Sequence, residues 1–315
     1  MNVVALSGGI GGAKLAAGLA RIVPADQLML VANTGDDFVH LGLHVSPDID
    51  TLLYTLSGKG DPVRGWGRAG ETWSFMAALR ELNAEDWFLL GDKDLAIHVL
   101  RTQALRDGAS LSEVTETLAS RLGVTVRVCP MSDDPVRTTI RSEQGLLPFQ
   151  EYFVRLRCKP RVQGIQFDHC TRATPSAAMM QALGNPDLSA VILCPSNPYL
   201  SINPILSIPG VRRALKACAA PVVAVSPIVG GQSLKGPTAK IMSELGQEVS
   251  ARTVAEGYAD FLDGFLIDRA DRALIPELEA MGVSVNAADI VMQSEEQKIE
   301  VARKVLAFAD RLDRR

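Results

Sequence analysis

Residues 3–19 read VVALSGGIGGAKLAAGL, and the change of pattern within them decides the fold. Val3 to Leu6 form a short apolar run that stops at Ser7-Gly8-Gly9, and from Ala13 to Ile22 apolar residues return at helical spacing. Leu28 to Ala32 is a second apolar run after a short polar connection. Strand, turn, helix and strand make a βαβ unit, for which parallel pairing with a right-handed crossover is expected.

Working outward, the C-terminal half repeats this alternation. LSAVILCPS, APVVAVSPIV, DGFLID and DIVMQ read as strands, and NPILSIPGVRRALKAC, GPTAKIMSELG and SEEQKIEVARKVLAFADRL read as helices. Between the halves, Glu71 to Leu82 and Ala96 to Leu122 look largely helical, whereas Val124 to Asp168 holds short β-rich runs with no long helical period. The pattern predicts an α/β fold: a Rossmann-like, doubly wound, mostly parallel sheet in three α/β/α layers, with a smaller β-containing insertion. Residues 1–123 and 169–315 would form the nucleotide-binding core and 124–168 the insertion.

Composition narrows the function. With 47% apolar, 22% charged and 5% aromatic residues, the chain is of ordinary globular type, and its net charge of −4 offers no basic stripe for nucleic acid. No apolar run reaches the length of about eighteen residues that a membrane span needs. Five scattered cysteines without a C-x-x-C pair suit free thiols in a reducing cytosol, and the N-terminus lacks a signal-peptide pattern, so a cytoplasmic protein is expected.

Gly8, Gly9, Gly11 and Gly12 remove Cβ atoms where the backbone turns, and the following helix aims its N-terminal N–H groups at that space, an arrangement that favours an anion. The spacing fits neither familiar template. Lys14 stands where a dinucleotide fingerprint wants its third glycine, and a P-loop would need Gly-Lys-Ser/Thr where Ala13-Lys14-Leu15 occurs. The alternative is a tight turn that binds nothing.

After the second strand come Asn33, Thr34, Asp36, Asp37, Asp48 and Asp50. Ligands of open α/β sheets lie outside the carboxyl ends of the strands, so these acids should face the same crevice as the glycines. Carboxylates next to a diphosphate need a divalent cation between them, and magnesium takes one or two carboxylates with substrate oxygens; one acid could also remove a proton from an attacking hydroxyl. The competing reading is that each Asp caps a turn or a helix. Asp94 and His98, four apart, share a helix face and could pair, with Arg101 one turn on. Two later loops, PSNPYLSINPIL and SPIVGGQSLKGPTAK, follow strands and bring Ser196, Asn197, Ser201, Gly230 and Lys235 toward the crevice.

Taken together, GGIGGAKL, NTGDDFVHLGLHVSPDIDTLLY, LGDKDLAIH, PMSDDPVRTTI, PSNPYLSINPIL and SPIVGGQSLKGPTAKIM resemble the 2-phospho-L-lactate transferase family of coenzyme F-420 biosynthesis, from Met1 to the final helix. That resemblance implies a magnesium-dependent transferase and a homodimer. A guanosine diphosphate-linked three-carbon acid (phospholactate, phosphoenolpyruvate or phosphoglycerate) would pass its phospho-acid half to the ribityl hydroxyl of the deazaflavin Fo, releasing GMP. By the same resemblance Gly9, Gly11, Gly12 and Lys14 would hold the diphosphate, and Asn197, Ser201, Gly230 and Lys235 the guanosine end. Asp48 and Asp50, in the SPD-x-DT motif, would border the hydroxyl and the metal, one of them as base. Asn33, Thr51, Asp94 and His98 lie in the matching stretches and Leu89 just before LGD, and all five are expected among the binding residues. Leu89 departs from the family, which often has a basic or polar residue there. The rival reading is a nucleotide-sugar-binding regulator on the same fold; a dinucleotide oxidoreductase is disfavoured by Lys14.

Overall fold

The computed structural model describes residues 1–312. Its central sheet has seven strands: Asn2–Ser7 (β1), Leu28–Ala32 (β2), Arg127–Pro130 (β3), Leu188–Leu193 (β4), Val222–Val225 (β5), Gly264–Asp268 (β6) and Ser284–Ala288 (β7). All pair in parallel, in the spatial order β3-β2-β1-β4-β5-β6-β7. This is the doubly wound order of dinucleotide-binding folds with one strand added. Sheets covered on both faces read as continuous apolar runs, and alternate residues here feed two cores. Val3, Ala5, Leu28 and Leu30 pack on one side with Leu15, Leu19 and Val305. Val4, Leu6, Met29 and Val31 pack on the other with Met179, Leu215 and Leu262.

Four helices carry the acidic and basic side chains that gather at the strand ends: Gly9–Ala20 (α1), Pro47–Leu56 (α2), Asp92–Arg106 (α3) and Glu295–Ala309 (α4). α4 starts in a capping box formed by Ser294 and Gln297 and lies directly on α1. A Cβ on Gly18 would come within 2.1 Å of the Lys298 carbonyl oxygen, so only glycine permits that approach.

Several boundaries differ from the sequence reading. The stretch 124–168 is not one insertion: Arg127–Pro130 joins the central sheet as its edge strand, because Val128 and Cys129 bury themselves in the cores of opposite faces. The separate antiparallel sheet consists of Arg137–Ser142, Gly145–Pro148 and Val162–Asp168. The last central strand is Ser284–Ala288 rather than DIVMQ; residues 289–293 leave the sheet while Ile290 and Met292 still pack into the core. The helix expected over 203–218 breaks at Gly210, whose φ of 91° ends one segment and starts the next. Of the expected core range 169–315, the last three positions lie outside the described residues. No described helix is long and apolar enough to cross a membrane.

Candidate active site

The strand order reverses between β1 and β4, so the loops after these two strands diverge and leave a crevice at their carboxyl ends. A cleft of about 740 Å3 opens there. Its floor is the glycine turn, but the glycines have a different task from the one expected. A Cβ on Gly11 would sit 2.3 Å from the Pro195 carbonyl oxygen, one on Gly12 2.5 Å from both Ser7 Oγ and Ser196 Oγ, and one on Gly8 2.6 Å from Asp48 Oδ2 and Ser201. These three are bare so that the β4 loop and α2 can close onto the turn. Only Gly9, at φ +63°, has a Cβ position with no atom closer than 3.9 Å.

The start of α1 already holds an anion, the Asp48 carboxylate. Oδ1 accepts the Gly9 N–H at 2.7 Å and Oδ2 accepts the Asn33 amide at 2.9 Å. Pro47 at the first position of α2 presets the backbone that carries Asp48 and Asp50 into that first turn. Burial drives the Asp48 carboxyl up to about 6, held back by the Asn33 and Gly9 hydrogen bonds. Asp36 stands beside it. Burial first, and then the Asp48 charge, raises the Asp36 carboxyl well above the ordinary range, and its Oδ1 is buried without a hydrogen-bond partner. Two carboxylates sharing one buried space call for a proton or a cation between them.

Asp50 faces elsewhere, as residues two apart on a helix must. The fully buried Arg101 guanidinium holds both its oxygens, Nη1 on Oδ2 at 3.1 Å and Nη2 on Oδ1. Beyond it His98 Nδ1 lies 3.7 Å from Asp50 Oδ2, His98 Nε2 3.4 Å from Asp94 Oδ2, and the Tyr54 hydroxyl donates to Asp94 Oδ1. The expected Asp94–His98 pairing is therefore present, within a chain running Tyr54–Asp94–His98–Asp50–Arg101. Burial raises the Asp50 carboxyl against the pull of Arg101 and His98. Burial also opposes ionisation of Asp94, but the His98 and Tyr54 contacts outweigh it and lower its pKa. Oxygen and nitrogen atoms of Asp50, Asp94 and His98 lie within 4.8 Å of one another, as a metal set would. Arg101, however, already occupies Asp50.

Two lysines also line the cleft. Lys14 donates to the Met292 carbonyl at 2.6 Å, and Lys235 is the other. Burial, then the neighbouring Lys235 and Lys298 charges, lower the Lys14 pKa. The lining also includes the aromatic residues Trp87, Phe88, Phe149 and Phe153 and the aliphatic Leu89, and Phe149 stacks on Phe153 at 5.2 Å. Thr51, Asn197 and Ser201 also line the cleft, and the Asn197 Nδ2 is buried and unpartnered.

Three expected site residues do not reach the cleft. Gly12 is closed off by Ser7 and Ser196. Asn33 is fully buried behind Asp48, which it orients. Gly230, at φ +57°, makes a turn whose N–H donates to Asp271. Conversely, Arg101 as the Asp50 partner and the aromatic side escaped the sequence reading. The only signal for Arg101 was its place on the Asp94–His98 helix face, seven and three residues on.

The family model described as 2-phospho-L-lactate transferase CofD matches residues 3–307. A phosphoenolpyruvate transferase of Kitasatospora aureofaciens is 43% identical over 99% of both chains. A 2-phospho-L-lactate transferase of Methanosarcina mazei is 40% identical, covering 96% of this chain and 99% of that protein. Among solved structures, a Bacillus halodurans member of the UPF0052 family superposes with a TM-score of 0.64 at 15% identity, over 97% of this chain and 99% of the other. That similarity concerns the fold.

Proposed function

The chain belongs to the 2-phospho-L-lactate transferase CofD family, and on that premise we propose that it moves a phospho-acid group from a guanosine diphosphate-linked three-carbon acid to the ribityl hydroxyl of the deazaflavin Fo, with GMP as the leaving product. The observation that carries this reading is the make-up of the cleft lining, which brings buried carboxylates, two lysines and several aromatic rings into one space. Phosphoryl transfer is chiefly a matter of positioning and charge neutralisation, and this cleft supplies means for both.

The planar deazaflavin fits the Trp87, Phe88, Phe149 and Phe153 side, where ring faces and edges are available for stacking. Leu89 adds apolar surface there in place of a charged contact. Asp50, fixed by the Arg101 fork, accepts the hydrogen bond of the acceptor hydroxyl and takes its proton as the new P–O bond forms. His98, between Asp50 and Asp94 at 3.7 and 3.4 Å, holds the next position along that row of ionisable groups. Lys14 and Lys235 bind the diphosphate, and Asn197, with its free buried amide, and Ser201 face the nucleoside. Thr51 lines the same cleft.

Magnesium fits this donor set at Asp36 and Asp48, whose mutual repulsion and unpartnered Asp36 Oδ1 a hard oxygen-seeking cation would relieve. Asp50 is left out of that set because the Arg101 guanidinium already neutralises its charge. When bound, the ion would neutralise phosphate charge during transfer.

The test is direct. Purified protein is incubated with Fo, magnesium and each of the three guanosine-linked acids, and the mixture is resolved by liquid chromatography with mass detection. Release of GMP with a phosphorylated deazaflavin of matching mass is expected with at least one donor, and the preferred donor names the acid. No product with any donor, together with calorimetric binding of a uridine nucleotide sugar but not of Fo, would replace the transferase by a regulator on the same scaffold.

A further inference from the structure

Behind the cleft lies a second chamber of about 560 Å3, between α1, α2 and α4. One stripe of α1 and its C-cap walls it, Ile10, Lys14, Ala17 and the cap residue Arg21, at the four- and three-residue steps that stack on a helix face. The two spaces meet at a waist where Lys14, Trp66 and Lys235 line both, and Lys298 of α4 faces the second.

Some cations elsewhere on this protein meet carboxylates, Arg80 with Asp86 at 2.7 Å, Lys240 with Glu244 at 2.6 Å and Arg21 in the chamber wall with Glu295 at 2.9 Å, while others, such as Lys59 and Lys93, meet backbone carbonyls. Among the described residues, none of Lys14, Lys235 and Lys298 has a carboxylate within ion-pair distance. Lys14 has only the neutral Met292 carbonyl, and its proton is held less firmly because of burial and then of the other two lysines. Lys14 and Lys298 are half-buried and Lys235 is exposed, and three ammonium groups lining one chamber repel one another unless an anion joins them. The covering loop comes close to them: a Cβ on Gly65 would lie 3.3 Å from Lys235 Nζ.

We infer that Lys298 completes, with Lys14 and Lys235, a three-lysine seat for the phosphates of a nucleoside diphosphate, at the waist between the cleft and the second chamber. Ammonium groups bind phosphate as point charges from several directions, which suits three lysines arriving from three separate elements. The chamber has the volume of a small-molecule site. The identity of the nucleotide rests on the proposed guanosine-linked donor; the phosphate seat does not.

The experiment is calorimetric titration, without magnesium, of inorganic pyrophosphate and separately of GDP into wild type, Lys298→Ala, Lys298→Arg and Lys304→Ala. Lys304 lies on the same helix but pairs with Glu300 at 3.6 Å. Loss of one charge-assisted contact should weaken both ligands about tenfold in Lys298→Ala. Lys298→Arg should stay within about twofold, and Lys304→Ala should match wild type. Lys298 is a half-buried helix residue, so circular dichroism should be the same for all four proteins. Unchanged pyrophosphate affinity in Lys298→Ala, an equal loss in Lys304→Ala, or no pyrophosphate binding by wild type would overturn the seat. If pyrophosphate bound with the stated lysine dependence while GDP did not bind, the seat would stand and the guanosine donor would fall.

Discussion

Replacing Arg101 with Met tests the centre of the site. Arg101 is 0% exposed and Asp50 5% exposed, and the guanidinium spans both carboxylate oxygens. Removing one member of a buried pair strands the other charge, at a cost of about 3–5 kcal/mol. The side chain also touches the His44 carbonyl and His98 Nδ1, but at 3.5 and 3.3 Å these are weak and add little. A loss of about 3–5 kcal/mol in unfolding free energy at pH 7 is therefore expected, read from equilibrium urea denaturation by circular dichroism. Two further measurements separate this cause from simple loss of packing. Asp50→Asn combined with Arg101→Met leaves no stranded charge, so the double variant should recover at least about 1.5 kcal/mol relative to the sum of the single losses. Lowering the pH should also shrink the Arg101→Met penalty. Without its guanidinium, burial raises the Asp50 carboxyl further, so the folded variant takes up a proton that the unfolded chain does not, and stability lost at pH 7 returns toward pH 5. A penalty under about 1 kcal/mol, or strictly additive losses, would refute the account of Asp50 as a carboxylate held ionised by Arg101.

Asp48, raised to about 6 by burial, favours the protonated folded state. Its contribution is fully present below the unfolded value near 3.8 and is lost as pH rises through 6, a swing of about 3 kcal/mol at most. Urea midpoints of Asp48→Asn should therefore fall less steeply than those of wild type between about pH 4 and 7, and parallel curves would contradict the raised value. Gly11→Ala drives a Cβ into the Pro195 carbonyl oxygen, where backbone opposes backbone, and should cost about 3 kcal/mol or more by the same denaturation. Gly60→Ala, whose nearest neighbour would be 3.7 Å away, should stay within about 0.5 kcal/mol; similar losses in the two would remove the close-approach explanation.

The fold was legible where burial on both faces writes itself as unbroken apolar runs, as in LMLVA and LSAVIL, each followed by small or turn-forming residues. It was illegible where the run is short or weakly apolar. RVCP sits among short β-rich runs that do not say which sheet it joins, and SVNAA is less strand-like than the IVM that follows it, although hydrogen bonding with β6 selects SVNAA. Much of the cleft wall was foreseen, because strand-end loops must gather at the order reversal. The reason for the glycines was not, since Pro195 and Ser196 approach from a strand far along the chain. The Asp50–Arg101 pair joins α2 to α3 across 51 residues, and no local spacing announces such a contact.

The β1–β4 pairing sets a timetable. Asn2 lies beside Leu188, and α4, laid against the bare flank of α1 at Gly18, brings Lys298 from near the end of the described chain. During synthesis the glycine turn is made first and must wait, through more than half the polypeptide, for the strand that turns it into one wall of a cleft. The lysine side waits longer still, until α4 has emerged. Nascent chains stalled before α4 should therefore carry a formed carboxylate cluster and an unfinished lysine cluster, so the two halves of the site's charge would be acquired at different moments in the life of one molecule.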